Sequence, residues 1–381
     1  MPQMKEHWQA IFGELAASAG REDLVGKLRT ADLPDKIKEA QLKKYKSLAI
    51  FPDDLVEMPR AGFVSRIKSG DEILICVQTD DFSTSELQEL ENSLAAYGAN
   101  SDELDESTFM VLSHGLRGAY RPKADFLDKD AAFNQIGIAE EPTYEGHEIS
   151  DVMQLFEDVS LFRIDPNSDL ASCNKWFLAA YIAACCSAFR TKSFPQDTSE
   201  KLNALLQLKN SNPELIFYAV TSIHLRQCFL EVYRGLETLF YLPWMKLLKD
   251  ELSFTGSGRS LASTLRKSIG WRQKEKESIC ELFALADNAM VMDNRINSLP
   301  SFKDLNFDEV NNQAIARRIY KIRNILVHQE DYDDPSPINL TQECWPVLVD
   351  YLLDVTVHLY TTFGADADFD FDEGARRAEN A

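Results

Sequence analysis

Apolar and polar positions along the chain change rhythm partway through, and that change divides it into two kinds of segment. Residues 4 to 46 carry a helical pattern. Runs with strand character follow at Ser47 to Phe51, Ala61 to Ile67 and Glu72 to Thr79, the last reading Glu-Ile-Leu-Ile-Cys-Val-Gln-Thr. Ser83-Thr84-Ser85-Glu86 is a capping box, and Leu87, Leu90, Leu94 and Tyr97 then recur at helical spacing up to Gly98. Thr108 to Ser113 reads as a further strand and Leu161 to Ile164 as another. Strand, capped helix, strand predicts a βαβ unit in a sheet that is at least partly parallel. After the turn residues Asp165-Pro166-Asn167-Ser168 almost every pattern is helical. The expected fold class is therefore α+β overall, a small N-terminal α/β domain followed by an all-α bundle.

The expected domains are residues 1–165, a helical bridge over 166–212, the bundle over 213–364 and an acidic tail over 365–381. In the bundle, helices are predicted near 214–251, 259–270, 273–292, 308–329 and 343–363, with a kink at Pro243 in the first of them. Phe229, Tyr233, Leu236 and Phe240 form an i, i+4, i+7, i+11 stripe. Arg234 and Glu237, at i and i+3 beside it, either pair with each other as a surface bridge or reach the neighbouring helix.

The helix over 308–329 carries the chemistry. At about 100° per residue, Ile315, Ile319, Ile322 and Leu326 fall within about 60° of one another and form the core face. Asn324, His328, Arg317 and Lys321 lie opposite, with Tyr320 and Val327 beside them and Arg323 at the border. Such a helix is expected to be covered on both sides, the second cover being a partner subunit, a nucleic acid or both. Arg323-Asn324-Ile325-Leu326-Val327-His328 sets a permanent bidentate cation, an amide and a proton-trading imidazole into this otherwise apolar stretch. An Arg-Asn-x3-His match arises by chance about 0.01 times in a chain of this composition, so the asparagine carries most of the specificity.

On these residues the chain resembles the HEPN superfamily, all-helical domains in which an Arg-x4-6-His motif, often with a polar residue after the arginine, marks metal-independent endoribonucleases. Phe229-Leu230-Glu231-Val232-Tyr233-Arg234-Gly235-Leu236-Glu237-Thr238-Leu239-Phe240 is similar to the long first helix of these domains. The resemblance covers roughly residues 213 to 364. It implies a homodimer in which two motifs face each other across one cleft, and an association with toxins or antiviral-defence effectors. The implied catalytic residues are Arg323, Asn324 and His328, supported by Arg234, Glu237 and Tyr320, with no cofactor and no metal.

In the expected reaction, His328 takes the proton of a ribose 2′-hydroxyl or protonates the leaving 5′-oxygen, while Arg323 stabilises charge on the scissile phosphate. Asn324 orients the imidazole or bonds a phosphate oxygen. The product is a 2′,3′-cyclic phosphate, and DNA is not a substrate. His328 lies in the last turn, where the helix macrodipole and the nearby Glu330 and Asp331 favour its protonated form.

Composition qualifies this picture. A net charge of −21 argues against bulk binding of nucleic acid, yet between Arg259 and Lys276 only Glu275 opposes Arg259, Arg266, Lys267, Arg272, Lys274 and Lys276. With Trp271 as a stacking platform and Arg317 and Lys321 on the motif helix, these form the expected RNA contact, transfer RNA being one candidate. The same stretch also reads as a solvated helix face with a half-buried tryptophan. The tail, with Phe369 and Phe371 among Asp366, Asp368, Asp370, Asp372 and Glu373, reads as a solubilising segment or as a nucleic-acid mimic over the basic cleft.

The chain holds 381 residues, 45% of them hydrophobic, enough for two buried cores. No apolar run reaches membrane-spanning length and the first residues lack a signal-peptide core, so the expectation is a cytoplasmic protein without a membrane partner. Seven scattered cysteines without a C-x-x-C pair suit a reducing compartment and give no zinc site. In the N-terminal half a regulatory ligand or partner is expected beyond the strand ends at Asp80, Asp81, Ser113, His114 and Arg117, the alternative being ordinary turns. Two rivals to a nuclease remain: a non-catalytic HEPN-like dimerisation or RNA-binding module, and a nucleotide-handling enzyme in the N-terminal half.

Overall fold

The computed structural model describes residues 2–364 except 32–34, 60–61, 81, 117, 124–141, 191–193, 271–273, 306–310 and 329–339. The chain divides into two compact units, residues 1–182 and 183–381.

In the first unit, six strands form one sheet: β1 (Leu48–Ile50), β2 (Val56–Met58), β3 (Gly62–Ser69), β4 (Glu72–Gln78), β5 (Ala99–Asp102) and β6 (Val159–Ile164). Their order is β1-β3-β4-β6-β5, with β2 also on β3, and every ladder between them is antiparallel. Among the helices here are α1 (Pro2–Ser18), α2 (Asp35–Ser47), α3 (Thr84–Ala95) and α4 (Glu106–Gly115).

The expected βαβ unit does not form, because Thr108 to Ser113 is helix α4 rather than a strand. The side chain of Asp105 accepts the backbone N–H of Thr108 at 2.9 Å, an N-cap that commits the next residues to a helix. Phe109, Met110 and Leu112 are then buried together with Trp8, Ile11, Phe12 and Leu15 of α1 against Phe63, Ile67 and Leu74 of the sheet. A short apolar run has no period of its own to distinguish strand from buried helix, and here the cap and the packing decided. Strand β5 has a sequence, Ala-Asn-Ser-Asp, with little strand propensity. It is held by its ladder to β6 and by Arg163, which pairs with Asp102 at 2.9 Å and Glu72 at 3.0 Å. The capping box at Ser83 and Glu86 is present as the sequence indicates.

Arg66 on β3 is a buried cation. Its guanidinium donates to both carboxylate oxygens of Asp54, at 2.7 and 3.0 Å, and to the carbonyls of Leu170 and Ala171, each at 3.2 Å. A bidentate partner and two carbonyls satisfy the charge inside the unit.

Helix α5 (Lys175–Cys185) runs across the division between the units. The second unit is helical: α6 (Gln196–Leu206), α7 (Pro213–Val220), α8 (Leu225–Glu237), α9 (Leu242–Leu252), α10 (Gly258–Ile269), α11 (Glu275–Leu285), α12 (Asn312–His328) and α13 (Cys344–Phe363). The single helix expected over 214–251 is three helices, and Pro243 opens α9 instead of kinking a longer rod. The stripe is core: Phe229, Tyr233 and Leu236 on α8 and Phe240 in the turn just after it are all buried. Trp345, Leu348, Leu352 and Val355 of α13 are buried as well, and Phe229 meets the Trp345 ring edge-on at 5.8 Å between centroids. The isoleucine face of α12 behaves as its periodicity indicates, with Ile315, Ile319 and Ile322 fully buried and Val327, on another face, 47% exposed.

None of the seven cysteines forms a disulfide. Among the described residues no helix is long and apolar enough to cross a membrane, and no group of three or more His, Cys, Asp or Glu side chains is arranged to hold a metal ion. The acidic tail, 365–381, lies outside the described residues.

Candidate functional site around Arg323

Arg323 sits on α12 between the buried isoleucine face and the polar face, so its stem is covered while its guanidinium reaches the two helices alongside. One terminal nitrogen bonds Glu237 of α8 at 3.1 Å and Glu275 of α11 at 2.8 Å; the other donates to Oδ1 of Asn324 at 3.0 Å. The cation also lies over the ring of Tyr233, 5.7 Å from its centroid. Four groups from three helices thus hold the motif arginine, whose side chain is 18% exposed.

The electrostatics are uneven. Burial, reinforced by a hydrogen bond with Glu275 and opposed by Arg323, pushes the Glu237 carboxyl up to about 7. Glu237 and Glu275 face one cation, and it is Glu237 that takes up a proton near neutral pH. Burial raises the Tyr233 phenol far above its ordinary range, so it stays protonated. Its hydroxyl is buried without a hydrogen-bond partner among the described residues.

The fold joins Arg323, Asn324 and Glu237 as the sequence suggested, and adds Glu275 and Tyr233. Tyr233 was legible only as a core stripe residue. Glu275 was legible only as the lone acid in a basic stretch, and that exception in sign was the available signal. Arg234 does not take part: it pairs with Glu231 on its own helix, donating to both carboxylate oxygens at 3.0 Å, and its side chain is 58% exposed. Of the alternatives open to the Arg234 and Glu237 pair, Glu237 reaches the neighbouring helix and Arg234 does not.

Tyr320 is half-buried on α12 near Tyr233. Arg317 is exposed and neighbours the Cys280 thiol, and Lys321 is half-buried. Arg266 and Lys267 are exposed in the last turn of α10. Trp271 and Arg272 lie outside the described residues, as do Glu330 and Asp331. The backbone of His328 is the last residue of α12, as expected, whereas its side chain lies outside the described residues.

The ligand site expected beyond parallel strands in the first unit loses its basis, because the sheet is antiparallel and His114 belongs to the last turn of α4. Asp80 accepts the backbone N–H of Asp158 at 3.0 Å, and the Ser113 hydroxyl donates to the carbonyl of Phe109 at 2.7 Å. Asp81 and Arg117 lie outside the described residues. His114 instead stacks on His7.

No protein-family model, no curated protein and no solved structure matches the chain.

Proposed function

We propose that the helical unit is a metal-independent endoribonuclease of HEPN type, working as a homodimer in the cytoplasm and controlled as a toxin or antiviral-defence effector. The observation that carries this reading is the placement of Arg323, with Asn324 fixed to it at 3.0 Å, four residues after Ile319 on the helix that ends at His328. Arg323 and His328 lie about 1.4 turns apart on this helix, so the two motifs of a dimer together present both groups to one phosphodiester.

In this scheme the ribose 2′-oxygen attacks phosphorus and the bond to the 5′-oxygen breaks. His328 of one subunit accepts the 2′-hydroxyl proton, and its counterpart in the second subunit returns a proton to the 5′-oxygen. Arg323 balances the charge that builds on the non-bridging oxygens. Its guanidinium is already neutralised by Glu237 and Glu275, so engaging a phosphate requires that one carboxylate yields. Glu237 is the carboxylate suited to yield, since protonation near neutral pH removes its claim on the cation. Arg317, Lys321, Arg266, Lys267, Trp271 and Arg272 then contribute to RNA binding, and Tyr320 flanks the motif.

The test is incubation of the purified protein with labelled transfer RNA and mixed cellular RNA in the presence of EDTA, beside the His328→Ala and Arg323→Ala proteins. Cleavage by the wild type alone, leaving cyclic phosphate ends, supports the assignment. Retained cleavage in either variant removes it.

The double carboxylate on Arg323 favours one other reading, a non-catalytic dimerisation or RNA-binding module in which the arginine is a structural tie between α8, α11 and α12. In that case both variants leave RNA chemistry unchanged and disturb assembly or stability instead.

A further inference from the structure

A cavity of about 350 Å3 opens in the first unit, lined by His7, Tyr45, Lys46, Leu48, Ala49, Ile50, Val111, His114 and Gly115. Four elements make it: α1 brings His7, α2 brings Tyr45 and Lys46, β1 forms one wall, and the last turn of α4 brings His114. Gly115 permits the close approach of α4 to β1, since a Cβ there would collide with the Ile50 side chain.

The two imidazoles lie face to face, with centroids 3.4 Å apart and planes 18° from parallel. Nδ1 of His7 is bonded to the Tyr45 hydroxyl at 2.6 Å, which fixes the ring's orientation and makes its other nitrogen the one available to a ligand. Lys46 adds an exposed ammonium. The described lining residues include no carboxylate, and the neighbouring acid Asp105 is engaged by Lys44 where α2 meets α4. Glu6, beside His7 on α1, is an acid that acts on His7.

Stacked imidazoles repel once both are protonated. Burial and the charge of His114 hold the His7 imidazole below its ordinary value, with Glu6 pulling weakly the other way. A dianion in the cavity would reverse that balance by placing two negative charges against both rings and Lys46. The lining also includes Leu48, Ile50 and Val111, apolar side chains that suit an organic body.

We propose that this cavity binds a small phosphate ester, with the phosphate against His7, His114 and Lys46 and the organic group on Leu48, Ile50 and Val111. A phosphate suits the site better than a carboxylate, because a dianion matches several cationic donors where a monoanion does not. The inference stands on the first unit alone and holds or fails independently of the ribonuclease reading.

The test uses the full chain and phenyl phosphate as the probe, by titration calorimetry at about pH 6.5 and about pH 8, beside His114→Gln and Lys46→Met. Both substituted side chains are exposed, so thermal melting serves to check that the variants fold as the wild type does. The expected result is one-site binding, tighter at the lower pH, and weakened on the order of tenfold by each substitution. A second readout needs only the wild type: phenyl phosphate moves two imidazole proton signals toward their protonated positions. Absence of binding at millimolar probe, variants that bind as tightly as the wild type, or imidazole signals that do not move would each overturn the proposal.

Discussion

Replacing Arg323 by methionine keeps most of the buried stem and removes the cation that Glu237 and Glu275 share. The structure sets the scale of the loss. An exposed ion pair is worth about 0 to 1 kcal/mol. Breaking a fully buried pair costs roughly 3 to 5 kcal/mol, because a charge is stranded. Arg323, Glu237 and Glu275 have side chains 18%, 29% and 35% exposed, between those limits. A loss of about 2 to 3 kcal/mol is therefore expected at a pH where Glu237 is ionised.

The pH dependence is the sharper part of the prediction. Arg323 pulls the Glu237 carboxyl down toward its present value of about 7, so its removal raises that value further. Each unit of rise adds about 1.4 kcal/mol to the cost of ionising Glu237 in the folded protein. At about pH 5.5 Glu237 is protonated in both proteins, and the substitution then removes the Glu275 pair, the hydrogen bond to Asn324 and the contact with Tyr233, but no ion pair with Glu237. The destabilisation, measured by urea unfolding, is thus smaller at about pH 5.5 than at about pH 8. The exposed Arg266→Met serves as a control, expected within about 0.5 kcal/mol of wild type. An Arg323→Met cost that is equal at both pH values, or greater in acid, would refute this account of Glu237 as the acid that Arg323 keeps ionised.

Other outcomes follow from the same contacts. Because the folded value of Glu237 lies near 7 against an ordinary 4.5, the folded state holds the extra proton between these values, and wild-type stability falls as pH rises through that window and levels off above it. Glu237→Gln lacks this slope, so its stability relative to wild type should rise by on the order of 2 kcal/mol between about pH 5 and pH 8 in urea unfolding, and an unchanged difference would show that the carboxyl titrates elsewhere. Asp54→Ala strands the buried Arg66 guanidinium with only two carbonyl partners and should cost about 3 kcal/mol, read from the urea midpoint of the first unit's transition. Under the ribonuclease reading, His328→Ala lowers the cleavage rate by about 10² to 10⁴-fold without altering the unfolding free energy by more than about 0.5 kcal/mol, measured on labelled RNA in parallel with urea unfolding.

Local periodicity was enough for some of this protein. The isoleucine face of α12, the aromatic stripe of α8 and the capping box ahead of α3 are set by residues three or four apart, and neighbours at that spacing meet whatever the rest of the chain does. The overall α+β class followed from the same patterns. Thr108 to Ser113 shows where they run out, since six apolar or small residues fit a strand or a buried helix equally well. The Asp105 cap and the burial of Phe109 and Leu112 against α1 and the sheet selected the helix, and with it an antiparallel sheet.

Strand β5 is likewise a product of its partners, because Ala-Asn-Ser-Asp acquires strand geometry only from the ladder to β6 and the Arg163 bridges. At the candidate site the sequence by itself determined that Arg323 and Asn324 lie on one helix, next to each other. Only the tertiary structure decided that Glu237 and Glu275, drawn from two other helices, close on that arginine while Arg234 turns back to Glu231. The physical reason is range: backbone hydrogen bonds and helical spacing are written within a few residues, whereas the partner of a charge depends on which helices pack side by side.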